Sequence, residues 1–170
     1  TLSSSSAASD VYKRQRELRR VSEEGVHFKS HLDGSPQFLS PEKVIDIQCA
    51  LGSDIIMVLD ECTPYPCGHV DAEKSMELSM RWARRCRQQW EPHSDGSSGL
   101  FGIVQGGVYP ELRARSIEAL LGLGFSGMAV GGLSVGEPKG AMFEVLDAAI
   151  PLLPWHEPRY LMGVGTPRDI

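Results

Sequence analysis

Four points in the sequence place polar or backbone-exposing residues directly after an apolar run. Ile55-Ile56-Met57-Val58-Leu59 runs into Asp60 and Glu61, and Leu100 to Val104 runs into Gln105-Gly106-Gly107. Phe125 to Val130 is followed by Gly131-Gly132-Leu133, and Tyr160-Leu161-Met162 by Gly163-Val164-Gly165. A carboxylate such as Asp60 accepts two N–H donors side by side, and a carboxamide such as Gln105 both donates and accepts. A glycine lets backbone N–H groups approach a carbonyl oxygen. Together these groups complement the edge of a purine-like ring, with Leu133 and Met162 as apolar faces for it to stack on. Each residue alone also has a plainer reading. An Asp ending a strand caps the next helix, Gln105 serves a loop, and paired glycines make turns. The functional reading rests on the same punctuation recurring at the same end of four strands.

Those strands have to be parallel for the groups to converge. Five apolar residues without polar alternation, as in Ile55 to Leu59, read as a strand buried on both faces, the mark of a parallel sheet. Between the strands lie helical patterns. Ser40 offers an N-cap and Pro41 a first helical residue before Val44, Ile45, Ile47 and Leu51. Asp71 to Trp90 carries Met76, Met80, Ala83 and Trp90 on one face, and Pro110 and Pro138 open two further helices. Ahead of these, Arg16 to Glu24 reads as a short polar helix closed by Gly25, and Val26 to Leu39 as a hairpin around Asp33-Gly34. Four βα-type repeats predict a parallel α/β sheet, since each crossover must return the chain on the same hand. The lack of a GxGxxG after the first strand argues against a doubly wound dinucleotide fold. A (β/α)8 TIM barrel takes ~250 residues, so residues 16–170 read as about half of one.

With 170 residues, 41% of them hydrophobic, and a net charge of −5, the chain can bury one core and is not held to nucleic acid by bulk charge. No apolar run reaches the length of a membrane span and no signal-peptide order opens the chain, which leads to the expectation of a soluble, cytoplasmic protein with no membrane partner. The four cysteines, Cys49, Cys62, Cys67 and Cys86, form no CxxC pair and read as free thiols. His27, His31, His69, His93 and His156 share no metal-ligand spacing, so no metal site is expected in this chain. Residues 1–15 fit nothing that follows. Ser5 to Gln15 looks like the in-frame translation of a transposase adapter, which sets 1–15 aside as an adapter-derived, disordered artefact and leaves 16–170 as the domain.

At the strand ends the sequence closely resembles the bacterial type of the tRNA-guanine transglycosylase family, also called queuine tRNA-ribosyltransferase. The resemblance is carried by Glu24-Gly25-Val26-His27-Phe28, Ser40-Pro41-Glu42-Lys43, Asp60-Glu61-Cys62-Thr63-Pro64-Tyr65-Pro66, Phe101-Gly102-Ile103-Val104-Gln105-Gly106, Val130-Gly131-Gly132-Leu133-Ser134-Val135-Gly136-Glu137 and Arg159-Tyr160-Leu161-Met162-Gly163-Val164-Gly165. It runs in order from Arg16 to Ile170. It implies a (β/α)8 barrel and a transferase of tRNA processing that exchanges wobble guanine in tRNA for a 7-deazaguanine, a step of queuosine biosynthesis.

On that resemblance Asp60, Gln105 and Gly132 bind the base, with Leu133, Cys62 and Met162 around it, and Glu137 supports the Leu133 backbone. Gly163, Val164, Gly165, Thr166, Pro167, Arg168 and Asp169 match a loop that touches tRNA. Cys62 and Val135 match bacterial-type sequences, which implies a preference for 7-aminomethyl-7-deazaguanine over queuine. The implied partners are tRNA with a GUN anticodon and, for the intact enzyme, a second copy in a homodimer. The family's nucleophilic aspartate, its proton-accepting aspartate in an Asp-Ser-Gly-Gly-Phe segment, and its zinc site of three cysteines and a histidine have no counterpart in this sequence. The chain as given is therefore expected to be an inactive internal fragment. A non-catalytic partner subunit of a transglycosylase is the alternative.

Overall fold

Arginines and a tryptophan on one long helix tie two separate sheets into one body. The structure, a computed structural model, describes residues 19–164; the expected artefact at 1–15 and residues 165–169 of the expected tRNA loop lie outside them. The first sheet is antiparallel, with β1 (Arg19–Val21), β2 (Val26–Lys29) and β3 (Pro36–Leu39) in that order. Val26 faces Val21 on one side and Leu39 on the other. The helix expected over Arg16 to Glu24 is corrected here, because Arg19–Val21 is a strand. Its short polar sequence has little helix-forming drive of its own, and the ladder to β2 satisfies its backbone instead.

Ser40 then caps α1 (Pro41–Ala50), its hydroxyl accepting the Lys43 N–H at 3.2 Å. The second sheet is wholly parallel and four-stranded, in the order β4 (Ile55–Met57), β5 (Gly99–Val104), β6 (Gly127–Val130), β7 (Arg159–Leu161). Its crossovers are α2 (His69–Trp90), α3 (Pro110–Leu121) and α4 (Lys139–Ala149). The chain is thus α/β with a parallel sheet, as the apolar runs predict.

One further detail departs from expectation. β4 is not buried on both faces along its length, since Ile55 is 55% exposed and burial begins at Ile56. Its outer backbone groups at Met57 are met by a side chain: the Gln48 carboxamide on α1 donates to Met57 O at 2.8 Å and accepts from Met57 N at 2.9 Å. β5, in contrast, is interior and buried from Leu100 to Val104, so the outer strands are β4 and β7. The core between sheet and helices is filled by Ile45, Ile56, Ala83, Leu100, Ile103, Ile117, Leu120, Met128 and Val145.

Arg81 on Glu23 holds the β1–β2 turn of the antiparallel sheet to α2, and Arg85 on Glu42 holds α1 to the same helix, both paired through two nitrogens. These ion pairs are partly exposed and contribute little on their own. Trp82 is wholly buried and donates its indole N–H to Glu23 O at 2.8 Å. Arg85 Nη1 donates to the same carbonyl at 2.8 Å. Trp82→Phe is therefore expected to cost about 1–2 kcal/mol, for one hydrogen bond and a small void. Denaturant unfolding of both proteins would measure it, and an unchanged midpoint would show that Trp82 does not join the sheets.

Candidate functional site

All four parallel strands point their carboxyl ends to one rim, where polar groups first emerge. Past β4, Val58 N still donates to Phe101 O at 3.2 Å, and Leu59 N donates to Cys86 Sγ at 3.4 Å. These two bonds deliver Asp60 to the rim. Past β5, Gln105 is 1% exposed, with its backbone N–H on Ser116 Oγ of α3 at 3.1 Å. Gln105 Nε2 donates to Asp60 Oδ2 at 2.5 Å, across two neighbouring strands. Burial pushes the Asp60 carboxyl above the usual carboxylate range, and the bond from Gln105 opposes that rise.

Past β6, Gly131 continues the ladder with N–H on Val104 O at 3.1 Å. A Cβ at Gly131 would lie 2.7 Å from Ile103 Cγ2, 2.8 Å from Gln105 Nε2 and 3.6 Å from Asp60 Oδ2, so the main chain there lies directly against the Asp60–Gln105 pair. Gly132 has φ +64°. A Cβ there would collide with Gln105 Oε1. The position thus needs glycine for its conformation and for space. The structure brings Asp60, Gln105 and Gly131-Gly132 into one contact set.

The other expected residues lie around this set. Leu133 is 4% exposed and belongs to the core, and Met162 packs against that core with its N–H on Val130 O at 3.1 Å. Gly163 approaches the Leu133 carbonyl, since a Cβ on it would stand 3.4 Å away. Val164 also packs on the core. Glu137 accepts the N–H of the Leu133–Ser134 peptide through Oε1, and the Val135 N–H through Oε2 at 2.9 Å. Cys62 is half-buried, and burial first, then the Asp60 charge, pushes its thiol up. Glu61 turns the other way, into a cavity of about 590 Å³ that it lines with Arg19, Glu23, Lys74 and Arg81 and that Asp60 does not line.

Sequence reasoning missed Arg113. This residue of α3 is 0% exposed, and its guanidinium reaches under both loops. Nε donates to Gly107 O at 2.9 Å, Nη1 to Val104 O at 2.9 Å and Gly131 O at 2.6 Å, and Nη2 to Gly132 O at 3.2 Å. Burial lowers its pKa to about 10, which leaves it a cation at neutral pH. Among the described residues no carboxylate forms an ion pair with it. The available signal was periodicity, because Arg113, Ser116, Ile117 and Leu120 form an i, i+3, i+4, i+7 stripe, which places an arginine on the face that must be buried.

With this geometry in place, comparison with known proteins decides the family. The sequence profile described as "Queuine tRNA-ribosyltransferase" matches residues 2–170, a match that begins inside the segment set aside above. The chain belongs to the queuine tRNA-ribosyltransferase family. It is 56% identical over 154 residues to the queuine tRNA-ribosyltransferase of Halothermothrix orenii, covering 91% of this chain and 40% of that protein. To the proteins of the same name from Desulforudis audaxviator and Pelotomaculum thermopropionicum it is 58% and 59% identical over 150 residues, 88% of this chain and 40% of each. The chain thus spans about two fifths of the length of these curated relatives.

The family's implied zinc finds no fit here. No three His, Cys, Asp or Glu side chains come together as a metal site among the described residues. No helix among the described residues is long and apolar enough to cross a membrane.

Proposed function

We propose that this chain is the base-binding part of a tRNA-guanine transglycosylase, within a (β/α)8 barrel that longer family members complete. The observation that carries the reading is the contact set of Asp60, Gln105 and Gly132 at the ends of three adjacent strands. A base that is exchanged must leave its stack and be read on its hydrogen-bonding edge. In this reading the Asp60 carboxylate accepts the ring N–H and exocyclic amine of guanine. Gln105 has a second Nε2 hydrogen beyond the one on Asp60, and with the Gly132 N–H it donates to the base carbonyl. Leu133, Met162 and Cys62 border the ring, and Val135 and Glu137 shape the loop beside it. The preferred incoming base is 7-aminomethyl-7-deazaguanine, delivered to tRNA with a GUN anticodon. Gly163 to Asp169 touch that tRNA. The whole enzyme is a cytoplasmic homodimer whose zinc ligands, nucleophile and proton acceptor come from segments outside this sequence.

The test is exchange of labelled guanine into tRNA by the full-length enzyme carrying this segment. Incorporation is expected, and queuine used as readily as the aminomethyl base would reject the specificity. A pH dependence follows from the site. Free Asp60 holds its proton more tightly than an ordinary aspartate, and protonation removes an acceptor that the base needs. Base affinity is therefore full above the raised pKa and is lost as pH falls through it, sooner than an unperturbed carboxyl at about 3.9 would allow. Guanine binding followed from about pH 8 to about pH 4 would show this, and affinity that stays flat to the ordinary carboxylate range would contradict it.

A further inference from the structure

A buried guanidinium needs a reason to be where it is, and among the described residues Arg113 has no acidic partner and is bonded only to main-chain carbonyls. Two of these, Gly131 O and Gly132 O, are consecutive. In a planar trans peptide the C=O and the following N–H point in opposite directions. Drawing both carbonyls onto one side chain therefore turns the N–H groups of Gly132 and Leu133 away from it. Among the described residues neither of these N–H groups makes a hydrogen bond, although Leu133 is buried and Gly131 next to them is paired to Val104. The remaining two bonds, to Val104 O and Gly107 O, bracket Gln105 on either side. One side chain thus sets the main chain on both loops that meet Asp60.

We propose that Arg113 is a positioning residue for base recognition: it holds the Gly131–Gly132–Leu133 main chain so that successive N–H groups face the carbonyl of the bound base. This rests on the base-binding reading above. Arginine is required because its planar fork reaches four acceptors at fixed angles, whereas a lysine ammonium has three donors at a single point.

The experiment compares the full-length enzyme with its Arg113→Lys variant, by the dissociation constant for guanine, the KM for tRNA and the thermal midpoint. Guanine binding is expected to weaken about 10- to 100-fold, as for loss of one or two charge-assisted contacts, while the KM for tRNA stays within about 2-fold. Unchanged guanine affinity would overturn the proposal. So would loss of guanine and tRNA binding in equal proportion, which is what a general collapse of the rim produces. A second measurement needs no variant and holds even if Arg113→Lys fails to fold. Guanine added to the wild-type enzyme should slow amide hydrogen exchange in the segment 131–135, and unaltered exchange there would also overturn it. If the wild-type enzyme binds no guanine at all, the base-binding reading falls first and the role of Arg113 falls with it.

Discussion

Replacing Asp60 by asparagine is expected to abolish guanine exchange while making the protein more resistant to unfolding at neutral pH. The first effect follows from what the carboxylate offers. Asp60 presents two acceptor oxygens, one held by Gln105 Nε2 at 2.5 Å. Asparagine keeps one oxygen and puts an NH2 in place of the other, so a donor on the base meets a donor on the protein. A polar site that loses its match rejects its ligand by ~10⁴- to 10⁵-fold, because both partners are left unpaired in a dry pocket. The second effect has the opposite sign. Burial raises the folded pKa of Asp60 above its unfolded value, so its ionised form opposes folding, and that penalty disappears below the unfolded pKa. The Asp60→Asn variant carries no such penalty at neutral pH, and the two proteins should converge in stability as the medium is made acidic. Exchange kinetics and thermal unfolding at two pH values measure both. A variant that exchanges guanine at the wild-type rate, or that is less stable at neutral pH, would refute the assignment.

A single methyl group at Gly132 should also be damaging, though less so. The residue sits at φ +64°, where a side chain is strained, and the added carbon would collide with Gln105 Oε1. Gln105 cannot retreat, since its amide is bonded to Asp60 and its backbone to Ser116. Either the carboxamide leaves Asp60 or the Gly131-Gly132 turn moves off Arg113, and both outcomes displace groups that would read the base. Gly132→Ala is expected to reduce kcat/KM for exchange by ~100-fold, equivalent to about 2.7 kcal/mol. Gly140→Ala provides the contrast. A Cβ on Gly140, in the first turn of α4, meets nothing within 4 Å, and the change should be silent in exchange and stabilise by up to about 0.5 kcal/mol. Steady-state exchange by the two variants separates a specific clash from a general intolerance of lost glycines. Equal rates would remove Gly132 from the site.

Much of this architecture was legible in the chain. Ser40-Pro41 marks a helix start because capping chemistry is local, and the apolar runs at Leu100 and Phe125 mark buried strands because parallel strands covered on both faces admit nothing else. Asp60, Gln105 and Gly132 could be nominated because topology brings like ends of parallel strands together even when they are far apart in sequence. What stayed hidden depended on tertiary partners. Arg19–Val21 is a strand only because β2 lies beside it, and Ile55 is exposed at the start of an outer strand. Arg113 was missed for the same kind of reason. Its stripe with Ile117 and Leu120 marks a buried face, but the four carbonyls it serves are tertiary partners that no local pattern names.

The Asp60–Gln105 bond joins residues 45 positions apart, and that distance has a meaning in time. At synthesis rates of ~5–20 residues per second, Asp60 is made about 2–9 s before the amide that will hold it, and Gly132 comes later still. Until then its carboxylate is solvated and the rim does not exist. The contact set cannot close until β6 has been made and Arg113 can find the carbonyls of Gly131 and Gly132. A nascent chain halted between residues 105 and 130 would carry both polar members of the contact set and still have no site for a base.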